Sequence, residues 1–328
     1  MPREHDSNLV ALPEVAGKLI TPRAPAVARI VGNETCTYGK SNAWVRDIAV
    51  DVSGTKLAGN FRVGQSFGVI PPGTDEDGKP HKVRLYSIAS PDSGEDGQGN
   101  VVCTPVKRTI GEFDPQLAGK RRPHRGMFMG VCSNYLCGLR IGDEVRITGP
   151  AGKRFLLPTE REHHDYVFFA TGTGIAPYRG MVMQLLRGPD GPTRRDVWLF
   201  AGAPYTSDLL YHEYFLEFER EFENFHYLQA ISREPQAPGQ TRGTYVDGLI
   251  VSELERLQPV LVRPSTLLYL CGVAGMQFGI WRRLALLGLL DGYALPRRGI
   301  DETAPAEWTS AQMRRGLKAT PRCMLEVY

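Results

Sequence analysis

The chain is 328 residues long, about twice a common domain length of roughly 150 residues, so two packed units are the starting expectation. With 42% hydrophobic and 23% charged residues, its composition is ordinary for a globular protein and excludes a mostly disordered, collagen-like or repeat-built chain. A formal net charge of +3 is too mild to argue for nucleic-acid binding, which needs a concentrated basic face.

The first twenty residues, MPREHDSNLVALPEVAGKLI, mix charges with short apolar stretches and lack the uninterrupted apolar region of a secretory signal. Residues 1–26 read as a tail. No stretch of about 18 apolar residues follows, so a cytoplasmic protein without a transmembrane segment is expected. From about Val27 to Leu157 come short extended runs, VRDIAVDV, SFGVIPPG, VRLYSIAS, VVCTPVKR and EVRITGP, punctuated by Gly, Pro and Asp. Such a texture suits an antiparallel barrel, assigned to residues 27–160. A polar connection, Pro158 to Asp165, leads into residues 161–328, where apolar strands alternate with longer helical stretches. YVFFA precedes APYRGMVMQLL, DVWLFAG precedes DLLYHEYFLEFEREF, and LLYLCG precedes AGMQFGIWRRLALLGLL, with HYLQAIS between the last two pairs, a parallel α/β pattern. Gly292 to Ala306, rich in Pro, Gly and Arg, reads as a surface loop. The six cysteines (Cys36, Cys103, Cys132, Cys137, Cys271, Cys323) form no CxxC pair or Cys/His cluster, so reduced thiols and no metal are expected.

Three motifs carry chemistry. RLYSIAS, Arg84 to Ser90, sets a cation, an aromatic and a hydroxyl on one strand, with Arg84, Tyr86 and Ile88 on one face and Leu85, Ser87 and Ala89 on the other. From alternation alone, a half-exposed barrel strand is the favoured reading. GVCSNYLCGL, Gly130 to Leu139, reads as a short capped helical turn whose first amides suit a phosphate, unless Ser133 is simply its N-cap. FFATGTGIAPYRG, Phe168 to Gly180, places a Gly-rich turn directly after the first α/β strand, with Pro177 opening the next helix. The turn is GxGxxP, not GxGxxG, so it departs from the usual dinucleotide fingerprint; an ordinary strand-to-helix turn is the alternative.

RLYSIAS, GVCSNYLC, ITGPAGK, ATGTGIAP, LLYHEYF, ISRE, YLCGVAGM and a chain ending in LEVY occur in the same order as in plant-type ferredoxin–NADP⁺ reductases, which residues 27–328 resemble. The resemblance implies a six-stranded antiparallel FAD-binding barrel followed by a five-stranded parallel α/β domain for NADP(H). It implies that Arg84 and Ser133, with the Val131 and Cys132 amides, hold the FAD pyrophosphate, a task suited to the planar fork of arginine. Tyr86 would stack on one face of the isoalloxazine and Tyr328 on the other. Ser87 would sit near flavin N5, with Cys271 and Glu326 completing the pocket for hydride transfer. On the NADP(H) side the Gly172–Pro177 loop, with Gly172, Thr173 and Gly174, would meet the nicotinamide and pyrophosphate, beside Cys271 and Gly272. Ser232 and Arg233 would meet the 2′-phosphate and Tyr245 the adenine. A hydroxyl and a guanidinium there favour NADP(H), since NAD-selective sites usually offer an acidic residue.

Two stretches depart from the family. Gly111 stands where a tyrosine usually stacks on the FAD adenine, and the run between Arg233 and Tyr245 differs, with Arg242 as the candidate second cation. The nearby Lys120, Arg121, Arg122 and Arg125 either cover the adenosine half of FAD or form a solvated loop. Between Lys79 and Arg154 there are thirteen Lys or Arg against seven Asp or Glu, and the remainder of the chain is net −3. That basic region would steer an acidic one-electron carrier, ferredoxin or flavodoxin, with Lys82, Lys153 and Arg154 nearest the flavin edge, although two anionic cofactors account for the excess equally well. The leading function is therefore an FAD enzyme exchanging hydride with NADP(H) and single electrons with such a carrier. A reductase component of an oxygenase is the close alternative. A non-catalytic flavin-binding module is the distant one, and the joint presence of Ser87, Cys271, Glu326 and Tyr328 argues against it.

Overall fold

A computed structural model describes residues 10–41, 43–112, 127–235, 243–297, 300 and 304–328, and the chain divides into two compact units. One is Val15–Gly152; the other joins residues 10–14 to Lys153–Tyr328. The division falls after Gly152, a few residues ahead of the polar connection on which the sequence expectation was placed.

The first unit contains β1 (Ala26–Thr35), β2 (Val45–Asp51), β3 (Ser66–Ile70), β4 (Arg84–Ser87), β5 (Val101–Lys107), a hairpin of β6 (Ile110–Glu112) and β7 (Met127–Met129), α1 (Val131–Gly138) and β8 (Glu144–Ala151). The six longer barrel strands pair antiparallel in the order β4-β3-β8-β1-β2-β5. Alternation drives this: Val45, Ile48 and Val50 of β2 and Val145 and Ile147 of β8 are buried, while Glu144 and Arg146 between them face water. The two ends of the strand order meet where Ala89 N–H donates to Cys103 O at 2.9 Å and Thr104 Oγ1 donates to Ser87 O at 2.8 Å, closing the barrel. Phe61, Phe67, Ile88 and Val102 fill its interior. The stretch before β1 was read as a tail, yet its described end belongs to the barrel. Ile20 is buried and exchanges both backbone hydrogen bonds with Gly149, and the buried Gln65 amide donates to Ala16 O and Gly152 O.

The second unit runs β9 (Tyr166–Thr171), α2 (Ala176–Leu186), β10 (Val197–Ala203), α3 (His212–Glu221), β11 (Phe225–Ile231), α4 (Val246–Ser252), α5 (Leu254–Leu261), β12 (Leu267–Gly272), α6 (Ala274–Leu286), β13 (Ala294–Pro296), α7 (Ser310–Gly316), β14 (Leu317–Ala319) and β15 (Cys323–Val327). Its five-stranded sheet, β11-β10-β9-β12-β15, is parallel throughout. The strands read as unbroken apolar runs because helices cover both faces, and every residue of β12 is buried. The chain winds from β9 to β10 and β11 on one side, then returns to β12 and β15 on the other. The carboxyl ends of β9 and β12 therefore flank a topological switch point, where open α/β sheets bind ligands. Gly292–Ala306, read as a surface loop, instead supplies β13, paired antiparallel with β14, and Ile300, which is fully buried. Isolated apolar anchors among Pro, Gly and Arg give no period to read.

Candidate active site

In the barrel, β4 presents Arg84 exposed, with its guanidinium donating only to the Lys82 and Val83 carbonyls at 3.4 and 3.2 Å; among the described residues it has no carboxylate partner. Tyr86 is half-buried, its ring 6.4 Å from that of Phe67. Burial pushes its hydroxyl well above the ordinary phenol range, with the Cys132 thiol at hydrogen-bond range as the next cause. Burial likewise pushes the Cys132 thiol up, while the Arg84 charge pulls it down. The structure thus brings Arg84, Tyr86 and Cys132 together from two elements distant in sequence. Ser87, at the end of β4, is half-buried and pairs in register with Ser66.

The first turn of α1 carries no acidic residue, and its N-cap, Gly130, supplies no side-chain cap. Ser133 does not cap it. Its hydroxyl accepts from Thr109 N–H at 3.1 Å and donates to Gly130 O at 3.3 Å. The first amides of a helix have no acceptor within it and lie at the positive end of its dipole. Together with a nearby guanidinium held, among the described residues, only by backbone carbonyls, these residues fit a diphosphate in charge and in donor type.

In the α/β unit, β9 ends in Thr171 and passes through a 3-10 turn, Gly172–Ile175, into α2, with Pro177 in the first helical turn. This turn lies directly against the end of β12. A Cβ on Gly174 would stand 2.2 Å from the Cys271 carbonyl oxygen, and one on Gly272, whose φ is +137°, would stand 2.2 Å from Thr171 Oγ1. Only glycine allows both approaches. Thr171 Oγ1 accepts from Val273 N–H at 3.1 Å and ties the two turns together.

β15 delivers Glu326 beside Cys271 in parallel register. Tyr328 N–H donates to Gly272 O at 2.9 Å, Ala274 N–H donates to Tyr328 O at 3.0 Å, and the Tyr328 hydroxyl lies 2.9 Å from Thr173 Oγ1. Tyr328 as a residue is 67% exposed. Cys271 is buried, and burial first, then the Glu326 charge, pushes its thiol far above the ordinary range, so it is neutral at physiological pH. Thr173, Cys271, Glu326 and Tyr328 are therefore one cluster at the switch point.

At the far edge, Ser232 and Arg233 leave β11 with their amides donating to Ala203 O and Pro204 O, both at 2.9 Å. Thr244 N–H donates to Ile231 O at 3.1 Å, which sets Tyr245, 71% exposed and at the start of α4, beside them. The Arg233 guanidinium sits 5.9 Å from the Tyr205 ring centroid. Arg242, Lys120, Arg121, Arg122 and Arg125 lie outside the described residues. Lys82, Lys153 and Arg154 are exposed. Sequence reading missed Thr171 and Tyr205. Their signal was position alone, at the carboxyl ends of β9 and β10, where sheet ligands gather.

The arrangement has close counterparts. The oxidoreductase NAD-binding domain family matches residues 168–280. A ferredoxin–NADP reductase of a Spirulina species is 38% identical over 270 residues, covering 81% of this chain and 88% of its own. The chloroplastic leaf isozyme 1 of ferredoxin–NADP reductase from Arabidopsis thaliana is 39% identical over 235 residues, covering 71% of this chain and 62% of its own. Among solved structures, ferredoxin-NADP⁺ reductase from Plasmodium falciparum has the same fold, with a TM-score of 0.65 at 20% identity over 95% of this chain and 99% of that one.

Proposed function

The chain belongs to the ferredoxin–NADP reductase family, and we propose that it is an FAD enzyme passing electrons between NADP(H) and ferredoxin, with the residues above in the following roles. FAD, when bound, supplies the step between two-electron hydride exchange and one-electron transfer; the protein supplies binding, orientation and electrostatics. Arg84, Ser133 and the Val131 and Cys132 amides hold the diphosphate, and Tyr86 offers its ring to the isoalloxazine, with Ser87 at the reactive edge. The Gly172–Pro177 turn takes the pyrophosphate of the nicotinamide cofactor. Thr173, Cys271, Gly272 and Glu326 surround the nicotinamide, and the neutral Cys271 thiol acts as a small wall that does not compete for the hydride. The Tyr328 ring, tethered at Thr173, stands where the nicotinamide must go. Ser232 and Arg233 receive the 2′-phosphate, and Tyr245 stacks on the adenine.

The observation that carries this reading is the convergence of Thr173, Cys271, Glu326 and Tyr328 at the switch point, from three separate strands ends. Ferredoxin is the electron partner, and the exposed Lys82, Lys153 and Arg154 are the cations proposed to attract it. NADPH oxidation by the purified protein, compared with ferredoxin, flavodoxin and an artificial dye as acceptors, tests the assignment. Faster turnover with ferredoxin than with buffer alone is expected, and a response to the dye only would overturn the carrier role.

A further inference from the structure

The chain has four tryptophans. Trp198, Trp281 and Trp308 are buried in the α/β unit, whereas Trp44 stands 51% exposed just before β2. An exposed aromatic needs no explanation by itself, but the surroundings of this one are specific. Arg108, immediately after β5, donates its backbone N–H to the Trp44 carbonyl at 2.7 Å and lays its guanidinium 5.3 Å from the indole centroid. The Arg108 Nε donates to Asn134 Oδ1 at 2.7 Å. Asn134, in the first turn of α1, turns its own amide to the Thr109 and Gly130 carbonyls at 2.9 and 2.8 Å. A continuous set of short contacts therefore joins the indole to the helix end assigned to the diphosphate. A complementary feature lies nearby: among the described residues a Cβ on Gly111 would find nothing within 4 Å, so position 111 offers room and no side chain of its own.

We propose that Trp44, with Arg108 fixed against it, is the platform for the adenosine half of FAD, supplying from the residue before β2 the aromatic that position 111 does not provide. An indole and a guanidinium both stack on a purine face, and both are already held in place, so little ordering is lost on binding. The inference rests on the flavin reading above, and its test separates the two.

The dissociation constants of FAD and of FMN, which has the isoalloxazine and one phosphate but no adenosine, are to be measured for the wild type, Trp44→Ala and Trp44→Phe. Trp44→Ala should weaken FAD by about tenfold or more, the scale of one base–aromatic stack, while leaving FMN unchanged. Trp44→Phe should recover most of the loss. Because the other three tryptophans are buried, acrylamide quenching of fluorescence reports on Trp44, and FAD should protect it. Unchanged FAD affinity in Trp44→Ala, or equal loss of FAD and FMN, would overturn the platform. A wild type that binds neither flavin would overturn the flavin reading and the platform with it.

Discussion

Tyr328 is held at its backbone by two hydrogen bonds, to Gly272 O and from Ala274 N–H, while its ring is tethered through a single one to Thr173. The ring can therefore swing about its side-chain torsions without unpairing the end of the sheet. If the nicotinamide takes its place, the Thr173 bond is broken on binding, and an intramolecular hydrogen bond contributes about 0.5–1.5 kcal/mol net. Tyr328→Phe removes that cost alone and should tighten NADP⁺ binding by about fivefold, the equivalent of roughly 1 kcal/mol. Tyr328→Ser removes the ring too and should tighten it further. On the proposed assignment, the binding energy of the 2′-phosphate at Ser232 and Arg233 would help expel the ring, and NADH has none of it, so Tyr328→Ser should raise NADH turnover more than NADPH turnover. Spectral titration with NADP⁺ and steady-state kinetics with both cofactors give these quantities. A double-mutant cycle with Thr173→Val isolates the bond, with an expected coupling of about 1 kcal/mol. Equal loss of both turnovers, accompanied by loss of flavin, would show that the ring only supports the cofactor and does not gate the site.

Three further outcomes follow from the same geometry. Arg84→Ala should weaken FAD by about ten- to 150-fold, the range for hydrogen bonds to a charged group, as read by flavin release on gel filtration; a fully loaded variant would place the diphosphate elsewhere. Arg233→Ala should raise the NADPH KM by a similar factor and leave the NADH KM almost unchanged, and equal use of both cofactors by the wild type would refute the 2′-phosphate assignment. Burial raises Cys271 and, to about 12, Cys323, and it also raises Tyr178 and Tyr269. Their folded values lie above the ordinary 9 for a thiol and 10 for a phenol, so their contribution is complete below pH 9 and is lost as pH rises beyond it. Thermal unfolding followed by circular dichroism should show the melting temperature falling above pH 9, and a flat profile through pH 11 would contradict it.

The architecture was legible where one physical signal dominated. Unbroken apolar runs such as YVFFA and LLYLCG can be buried only in a sheet covered on both faces, and alternation in β2 and β8 marks a barrel wall. Other parts were hidden for stated reasons. Ile20 and Ile300 are single anchors inside polar stretches, and one buried residue has no period. Trp44, Thr171 and Tyr205 matter through what lies beside them across a sheet or a turn, which spacing along the chain does not record. Thr173 and Tyr328 are 155 positions apart, and only the resemblance linked them before the fold did.

The GxGxxP turn shows how a departure from a pattern follows from local packing. In the usual fingerprint the third glycine allows a helix to approach a strand closely. Here the close approach falls on the second glycine, Gly174, which meets the backbone of Cys271, and on Gly272 from the opposite turn. The position after these is therefore released from the need for a bare backbone. Pro177 takes it at no cost, since the first turn of α2 has amides without helical acceptors and a preset φ favours it. The two glycines and Thr171 press the ends of β9 and β12 together, and this juxtaposition sets Thr173 within reach of the Tyr328 ring and Cys271 beside Glu326. A side chain at Gly174 would push the two turns apart by its own contact distance and disperse the cluster, over and above any change in the turn's own contact with the pyrophosphate. Gly174→Ala should accordingly weaken nicotinamide-cofactor binding and leave flavin loading intact.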